Sequence, residues 1–263
     1  MSFDPQPAAI ALHALRSSGA VSALPKDIAP RDETEGVAVQ RAHAVMLNAD
    51  PPGGFKIGGT AKRMQDYLGI TAPMAGFIVA RDIHQSGATL PWSSLRNAGV
   101  ECEIGVRLAR DLPAGPYTPA QVADAVGEVF AAIEVVENRY GPPPMGDLVA
   151  IGVPTLVADQ IYHRAAIIGA PCAAWRMLDL AAITGRITIN GTLRAEGTGA
   201  ELLGHPMNAL AWLANSAAAH GFGGLRAGQV MMLGSVTPPI WLDGTGTVIV
   251  AFAGLGDAVL HLG

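Results

Sequence analysis

The sequence predicts an α+β fold: a strand-rich roll with helical additions at its front. Three observations carry this. Helical patterns come first, at 5–18 and 33–48, and strand signals dominate after Gly54. The run Ala131-Ala132-Ile133-Glu134-Val135-Val136 is apolar on both sides of its acid, without alternation, as in a strand covered on both faces. The last third alternates strand signals with turns, as a sheet-rich domain does.

In order, residues 5–18 carry the stripe Ala8, Leu12 and Leu15, with Pro5 and Pro7 near the start and Gly19 after the end. A polar link from Pro25 to Asp32 leads to a helix over 33–48, stopped by Pro51-Pro52-Gly53-Gly54. Gly54 to Gly58 reads as a short strand running into a glycine turn. Thr60 is the expected N-cap of a helix at 61–68, ended by Gly69. Thr118 caps a short helix opened by Pro119 and running to about Val126. The loop Gly141 to Gly146, with three prolines in a row, cannot be regular structure. Ala165 to Gly169 reads as a strand, and Arg186 to Ile189 reaches the hairpin turn Asn190-Gly191. Pro206 opens a helix over 206–219. Gln229 to Leu233 is a strand, and a hairpin from Val248 to Leu262 closes the chain. The expected division is a mainly helical region, 1–72, packed on a β-roll, 73–263.

Two carboxylates stand out. Glu101 and Glu103 sit two residues apart in the apolar run Val100 to Leu108. On a strand they share one face, about 6–7 Å apart, while Cys102 points the other way. Like charges repel, and burying them costs more unless a cation compensates. If the strand holding Glu134 is a neighbour, three carboxylates could converge on one ion. The ordinary reading of Glu-x-Glu is a solvated sheet face. The apolar flanks of Glu134 argue against it, because acids are seldom buried idle. Lys56, between Phe55 and Ile57, has two readings. It is an exposed lysine on an edge strand, or a lysine near the acids whose pKa burial lowers.

Composition bounds the rest. The chain has 263 residues, half apolar and 15% charged, enough for a well-buried core. A net charge of −5 and no basic stripe exclude a general nucleic-acid binder. Two cysteines in apolar settings fit a reducing cytoplasm. No signal pattern or membrane-length apolar run is present. Low charge with much Ala and Gly suggests surface hidden between subunits.

Several separated stretches together resemble one family, the 2-hydroxypenta-2,4-dienoate (2-oxopent-4-enoate) hydratases with the related 4-oxalocrotonate decarboxylases, of the fumarylacetoacetate-hydrolase-like superfamily. They are Gly54-Phe55-Lys56-Ile57-Gly58-Gly59-Thr60, Val100 to Ile104, Ala132 to Arg139, Val157-Ala158-Asp159, Leu203-Gly204-His205-Pro206, Leu225 to Gln229 with Gly234-Ser235, and Gly254-Leu255-Gly256. The likeness runs in order from about residue 50 to the end. It implies a mixed β-sheet roll, a metal held by Glu101, Glu103 and Glu134, and homo-oligomers or complexes with a partner enzyme of the same pathway. The chain departs from the family after Asp159, where Gln160-Ile161-Tyr162-His163-Arg164 is bulkier and more basic. It departs again at Met74, where an acid often follows the proline.

Three carboxylates make a hard, all-oxygen site that suits Mg²⁺ or Mn²⁺ rather than zinc. A 2-oxo acid can chelate such an ion, which stabilises the enolate as a Lewis acid. The expected function is hydration of a 2-hydroxy-2,4-dienoate. Decarboxylation of a 2-oxo-3-enedioate or C–C hydrolysis of an acylpyruvate on the same metal are the alternatives. A catalytically silent binder or structural subunit is the alternative of another class. Lys56, Asp159 and His163 are the expected catalytic groups, and Arg139, Tyr162, Gln160 and Ser235 are expected against the substrate. Arg139 either orients a carboxylate or pairs with Glu137. His205 is expected to be structural, and Trp212 to pack on the inner face of its helix.

Overall fold

The computed structural model describes residues 3–18, 23–141 and 147–263, so Gly19 and the segment 142–146 lie outside the described residues. Helices α1 (Gln6–Ser18) and α2 (Glu33–Met46) lead to strand β1 (Gly54–Gly58), helix α3 (Lys62–Leu68) and strands β2 (Met74–Ile78), β3 (Ile83–Gln85) and β4 (Ala88–Leu90). Then come β5 (Ala98–Leu108), β6 (Leu112–Pro113), α4 (Pro119–Ala125) and β7 (Val126–Glu137). Helices α5 (Leu148–Ile151) and α6 (Val153–Ala158) precede β8 (His163–Ile168). The hairpin β9 (Thr184–Ile189) and β10 (Thr192–Thr198) is followed by α7 (Pro206–Ala214), α8 (Ala217–Gly221), β11 (Gly224–Leu225), β12 (Val230–Ser235), β13 (Ile240–Trp241) and the closing hairpin β14 (Gly246–Phe252) and β15 (Gly256–Leu262).

The main sheet runs β2-β1-β12-β5-β7-β8-β3, with β13 added to β5; a second sheet runs β10-β9-β14-β15-β4. Pairs β1–β12, β3–β8 and β15–β4 are parallel, and their neighbours are antiparallel. This is the expected α+β roll of mixed, curled sheets. The central strands β5 and β7 are buried on both faces. On one face Val129, Ala131, Ile133 and Val135 join the large core; on the other, Phe130 and Ala132 pack with Ile78, Ala166, Ile168, Val230 and Met232. The N-terminal region supplies β1 to this sheet, between β2 and β12.

Local chemistry fixes the element ends. Asp32 accepts from the Glu35 N–H to start α2, and Thr118 forms a reciprocal capping box with Gln121 at α4. Asn190 and Gly191 take positive φ at the predicted hairpin turn. Two expectations need correction. The N-cap of α3 is Ala61, without a side-chain bond, and Thr60 is buried beside Gly234 instead. The helix predicted over 206–219 is two helices. Asn215 ends α7, and the Ser216 hydroxyl accepts from the Ala219 N–H to start α8, so the apolar periodicity runs across a break. His205 is structural as expected, its Nδ1 accepting from the Met207 N–H at 3.0 Å. Trp212 is half-buried and packs against the large core, as expected, together with Leu210 and Leu213.

Candidate metal centre

Register brings the acids together. Strands β5 and β7 pair antiparallel with Glu101 opposite Glu134 and Glu103 opposite Ala132, so all three carboxylates project from one face. Their ligand oxygens lie within 4.8 Å of one another, and Glu103 and Glu134 are fully buried. The Gly234 N–H donates to Glu103 Oε2 at 3.0 Å. Glu103 Oε1 and Glu134 Oε2 are buried with no hydrogen-bond partner, and such orphaned acceptors are costly unless something binds them. Oxygen donors, convergence, burial and unsatisfied lone pairs together fit a hard divalent cation. Cys102 faces away into the large core, as expected, and so stays outside the cluster.

Lys56 is not on an edge. Strand β1 lies between β2 and β12, and Lys56 is 1% exposed, its Nζ 3.2 Å from Glu134 Oε1 and 3.1 Å from the Ile161 carbonyl oxygen. The expected lowering of its pKa does not occur here. Burial pulls the ammonium down, but Glu134, Glu101 and Glu103 together outweigh it and hold the pKa above the ordinary value. The acids respond in the opposite sense. Burial and then Glu134 push Glu101 up to about 8. Burial, then Glu134 and Glu101, raises Glu103 well above the carboxylate range. Glu134 is raised by burial against the pull of Lys56. The His163 Nδ1 lies 2.7 Å from Glu134 Oε1. Burial and then Lys56 keep this imidazole neutral, far below its ordinary pKa. Facing a carboxylate, Nδ1 carries the ring proton and donates it.

The 159–164 stretch is held under strain. Gln160, Ile161 and Tyr162 all have positive φ (55°, 48° and 67°), costly for side chains with a Cβ and most of all for a β-branched one. Gly58 and Gly76 make room: a Cβ on Gly76 would stand 2.8 Å from Gln160 Cα, and one on Gly58 2.9 Å from Ile161 Cγ2. This left-handed turn aims the Ile161 carbonyl at Lys56 and lays Tyr162 on Tyr140, ring centroids 5.9 Å apart. Tyr162, Lys56 and Glu101 form the polar end of a cavity whose wall is Met64, Leu68, Met74, Leu156 and Trp241.

Gln160 and Arg139 point away from the acids, whereas Ser235 lies opposite Glu103 on the neighbouring strand. Gln160 is buried toward the helices, its Nε2 3.2 Å from His43 Nδ1 and its oxygen accepting from Arg16. Arg139 donates from Nη1 to Asp159 Oδ2 at 2.9 Å, and its Nη2 is 3.4 Å from Glu137, so it is paired twice. The Ser235 hydroxyl is engaged with the Cys102 backbone, accepting its N–H at 3.2 Å, at the point where the β12–β5 register shifts.

The family model described as "Fumarylacetoacetate (FAA) hydrolase C-terminal" matches residues 60–262. The chain belongs to the fumarylacetoacetate hydrolase family. It is 33% identical over 249 residues to the 2-keto-4-pentenoate hydratase of Burkholderia vietnamiensis (strain G4 / LMG 22486), covering 94% of this chain and 92% of that one. It is 29% identical over 204 residues to the 4-oxalocrotonate decarboxylase of Pseudomonas putida, covering 78% and 75%. Among solved structures, the 4-oxalocrotonate decarboxylase of Pseudomonas putida G7, complexed with magnesium and adipate, superposes with a TM-score of 0.87 at 23% identity, covering 98% of this chain and 97% of that one. Within the family fold, three site features escaped sequence reading. The Ile161 carbonyl and Gly234 N–H are backbone groups, and no side-chain pattern announces them. Arg16 reaches from α1 to Gln160 across 144 residues, and α1 signals only an amphipathic helix.

Proposed function

We propose that this chain is a divalent-metal-dependent hydratase, a lyase adding water to a 2-hydroxy-2,4-dienoate, the enol of a 2-oxo-4-enoate. The observation that carries the reading is the convergence of three buried carboxylates with a buried lysine. Glu101, Glu103 and Glu134 would hold Mg²⁺ or Mn²⁺, which supplies a Lewis acid for the 2-oxo acid head when bound. Lys56 carries the proton at Nζ, poised between Glu134 Oε1 and the Ile161 carbonyl. Cancelling the carboxylate charge would remove what holds its pKa up and bring the proton into play. His163 is a positioning residue that donates to Glu134 and fixes its orientation. Tyr162 shapes the substrate cavity. Arg139 and Asp159 brace the turn that presents Ile161, and Gln160 and Ser235 support it and the β5–β12 junction.

The cavity wall of Met64, Leu68, Met74, Leu156 and Trp241 supports an uncharged substrate tail, hence hydration of a monocarboxylate. The second reading, decarboxylation of a 2-oxo-3-enedioate, is favoured by the likeness to the Pseudomonas decarboxylase. C–C hydrolysis of an acylpyruvate uses the same metal. The protein works as a homo-oligomer, with a partner enzyme of its pathway as a further associate, and in the cytoplasm, consistent with two free cysteines. No helix among the described residues is long and apolar enough to cross a membrane. The test is product analysis on 2-hydroxypenta-2,4-dienoate with Mg²⁺. Loss of the dienol absorbance with incorporation of labelled water is expected. Silence on this substrate with carbon dioxide released from the enedioate would assign the decarboxylase instead.

A further inference from the structure

A second, roomier cavity lies on the reverse side of β7. Val136 lines the cavity of the carboxylates, and its neighbour Glu137 lines this one, as strand alternation requires. Its volume is about 470 Å³, and Arg16, Arg81, Arg96, Arg139 and Arg164 line it. Five of the chain's 17 Lys and Arg side chains thus gather in one cavity of a protein whose net charge is −5. Only two wall residues are acids, Asp82 and Glu137, and Asp159 behind them adds a third. The five guanidiniums are undercompensated. Residues 19–22 and 142–146 contain no acid to offset them.

Some of the donors are also unfilled, although Arg81 Nη1 donates to the Leu47 carbonyl at 2.9 Å. Arg139, 3% exposed, leaves a buried Nε without a hydrogen-bond partner, and the buried Arg16 Nε reaches only Asp159 Oδ1, at 3.6 Å and outside hydrogen-bond distance. Burial and then the charge of Arg139 lower the Arg16 pKa to about 10, the mark of two guanidiniums held together against repulsion. The Arg96 guanidinium meets no acid among the described residues, and Arg164 reaches Asp82 only at 3.8 Å. Such planar, forked donors can grip two oxygens of a carboxylate or a phosphate at once.

We propose that this cavity is a second ligand site, distinct from the carboxylate cluster, which takes a compact dianion such as phosphate or a short dicarboxylate. Two links tie it to the cluster. Arg16 Nη2 and Arg139 Nη2 both donate to the His163 carbonyl at 3.1 Å, and the His163 ring holds Glu134. The site is independent of which reaction the chain catalyses.

The test is calorimetric titration of the full-length, Mg²⁺-loaded protein with inorganic phosphate and, separately, with succinate, at fixed ionic strength. Saturable binding of at least one is expected, and which one binds names the source of the anion. The double variant Arg81→Ser/Arg96→Ser, both exposed positions, should weaken binding on the order of 10²-fold, about 2.7 kcal/mol. Arg194→Ser, outside the cavity, should leave it unchanged. No saturable binding of either anion overturns the proposal. So does binding that survives the double variant but is abolished by Lys56→Met, which would put the anion at the carboxylates.

Discussion

Two buried charge clusters lie back to back on β7, and they are balanced in opposite ways. Around Asp159 the chain supplies both signs itself: Arg139 at 2.9 Å and Arg16 at 3.6 Å face a fully buried carboxylate. Around Glu134 it does not. Three carboxylates meet one ammonium, and two buried oxygens have no partner. The Asp159 carboxylate is neutralised within the chain and braces a strained turn, and the surplus charge there is positive. The second cluster leaves negative charge for a cation from outside to meet. Burial together with an unmet charge distinguishes a site from a strut, whereas burial alone marks both.

The largest effect that separates the two clusters is expected at Lys56. Lys56→Met should lower turnover by about 10²–10⁴-fold, the usual weight of a positioned proton carrier, while the metal still binds. Steady-state kinetics beside a metal titration check this, and near-normal turnover would remove Lys56 from the chemistry. On the other side of β7, Asp159→Asn leaves Arg139 and Arg16 buried without their carboxylate. It should cost about 3–5 kcal/mol of stability in a denaturant titration. A change in metal affinity without lost stability would reverse the roles assigned to the clusters.

The smallest effect is a pH dependence confined to the acid cluster. The Glu101 pKa is raised from 4.5 to about 8 in the metal-free fold. Folding therefore favours the protonated carboxyl. That contribution is full below the unfolded value and drains as pH rises through the folded one. The melting temperature of chelator-treated protein should fall over that window. Excess Mg²⁺ should reverse the slope, because metal and protons compete for the same oxygens. A flat profile in chelator would mean that the carboxylates are not forced together.

The carboxylate cluster was legible in the sequence because strand period and apolar flanks are local signals. Glu101 and Glu103 share a face by spacing, and the flanks of Glu134 reported burial on both sides. Lys56 was ambiguous for a stated reason: a five-residue strand does not reveal whether it lies at an edge or in the middle, and that position set both its burial and the sign of its pKa shift. The arginine cluster was largely illegible. Its members come from α1, the 79–83 turn, the segment before β5, the segment after β7, and β8, and only the fold brings them together. The break at Asn215 was hidden because α7 and α8 keep one apolar phase across it.

The central claim is that Glu101, Glu103 and Glu134 grip one divalent ion. Its most direct test is Mn²⁺ titration followed by electron paramagnetic resonance, on the metal-free protein and on Glu103→Gln and Glu134→Gln variants whose fold is verified by circular dichroism. One saturable Mn²⁺ per chain is expected in the parent, and its loss or severe weakening in both variants. Equal stoichiometry and affinity in all three proteins, or no saturable site in the parent, would contradict it.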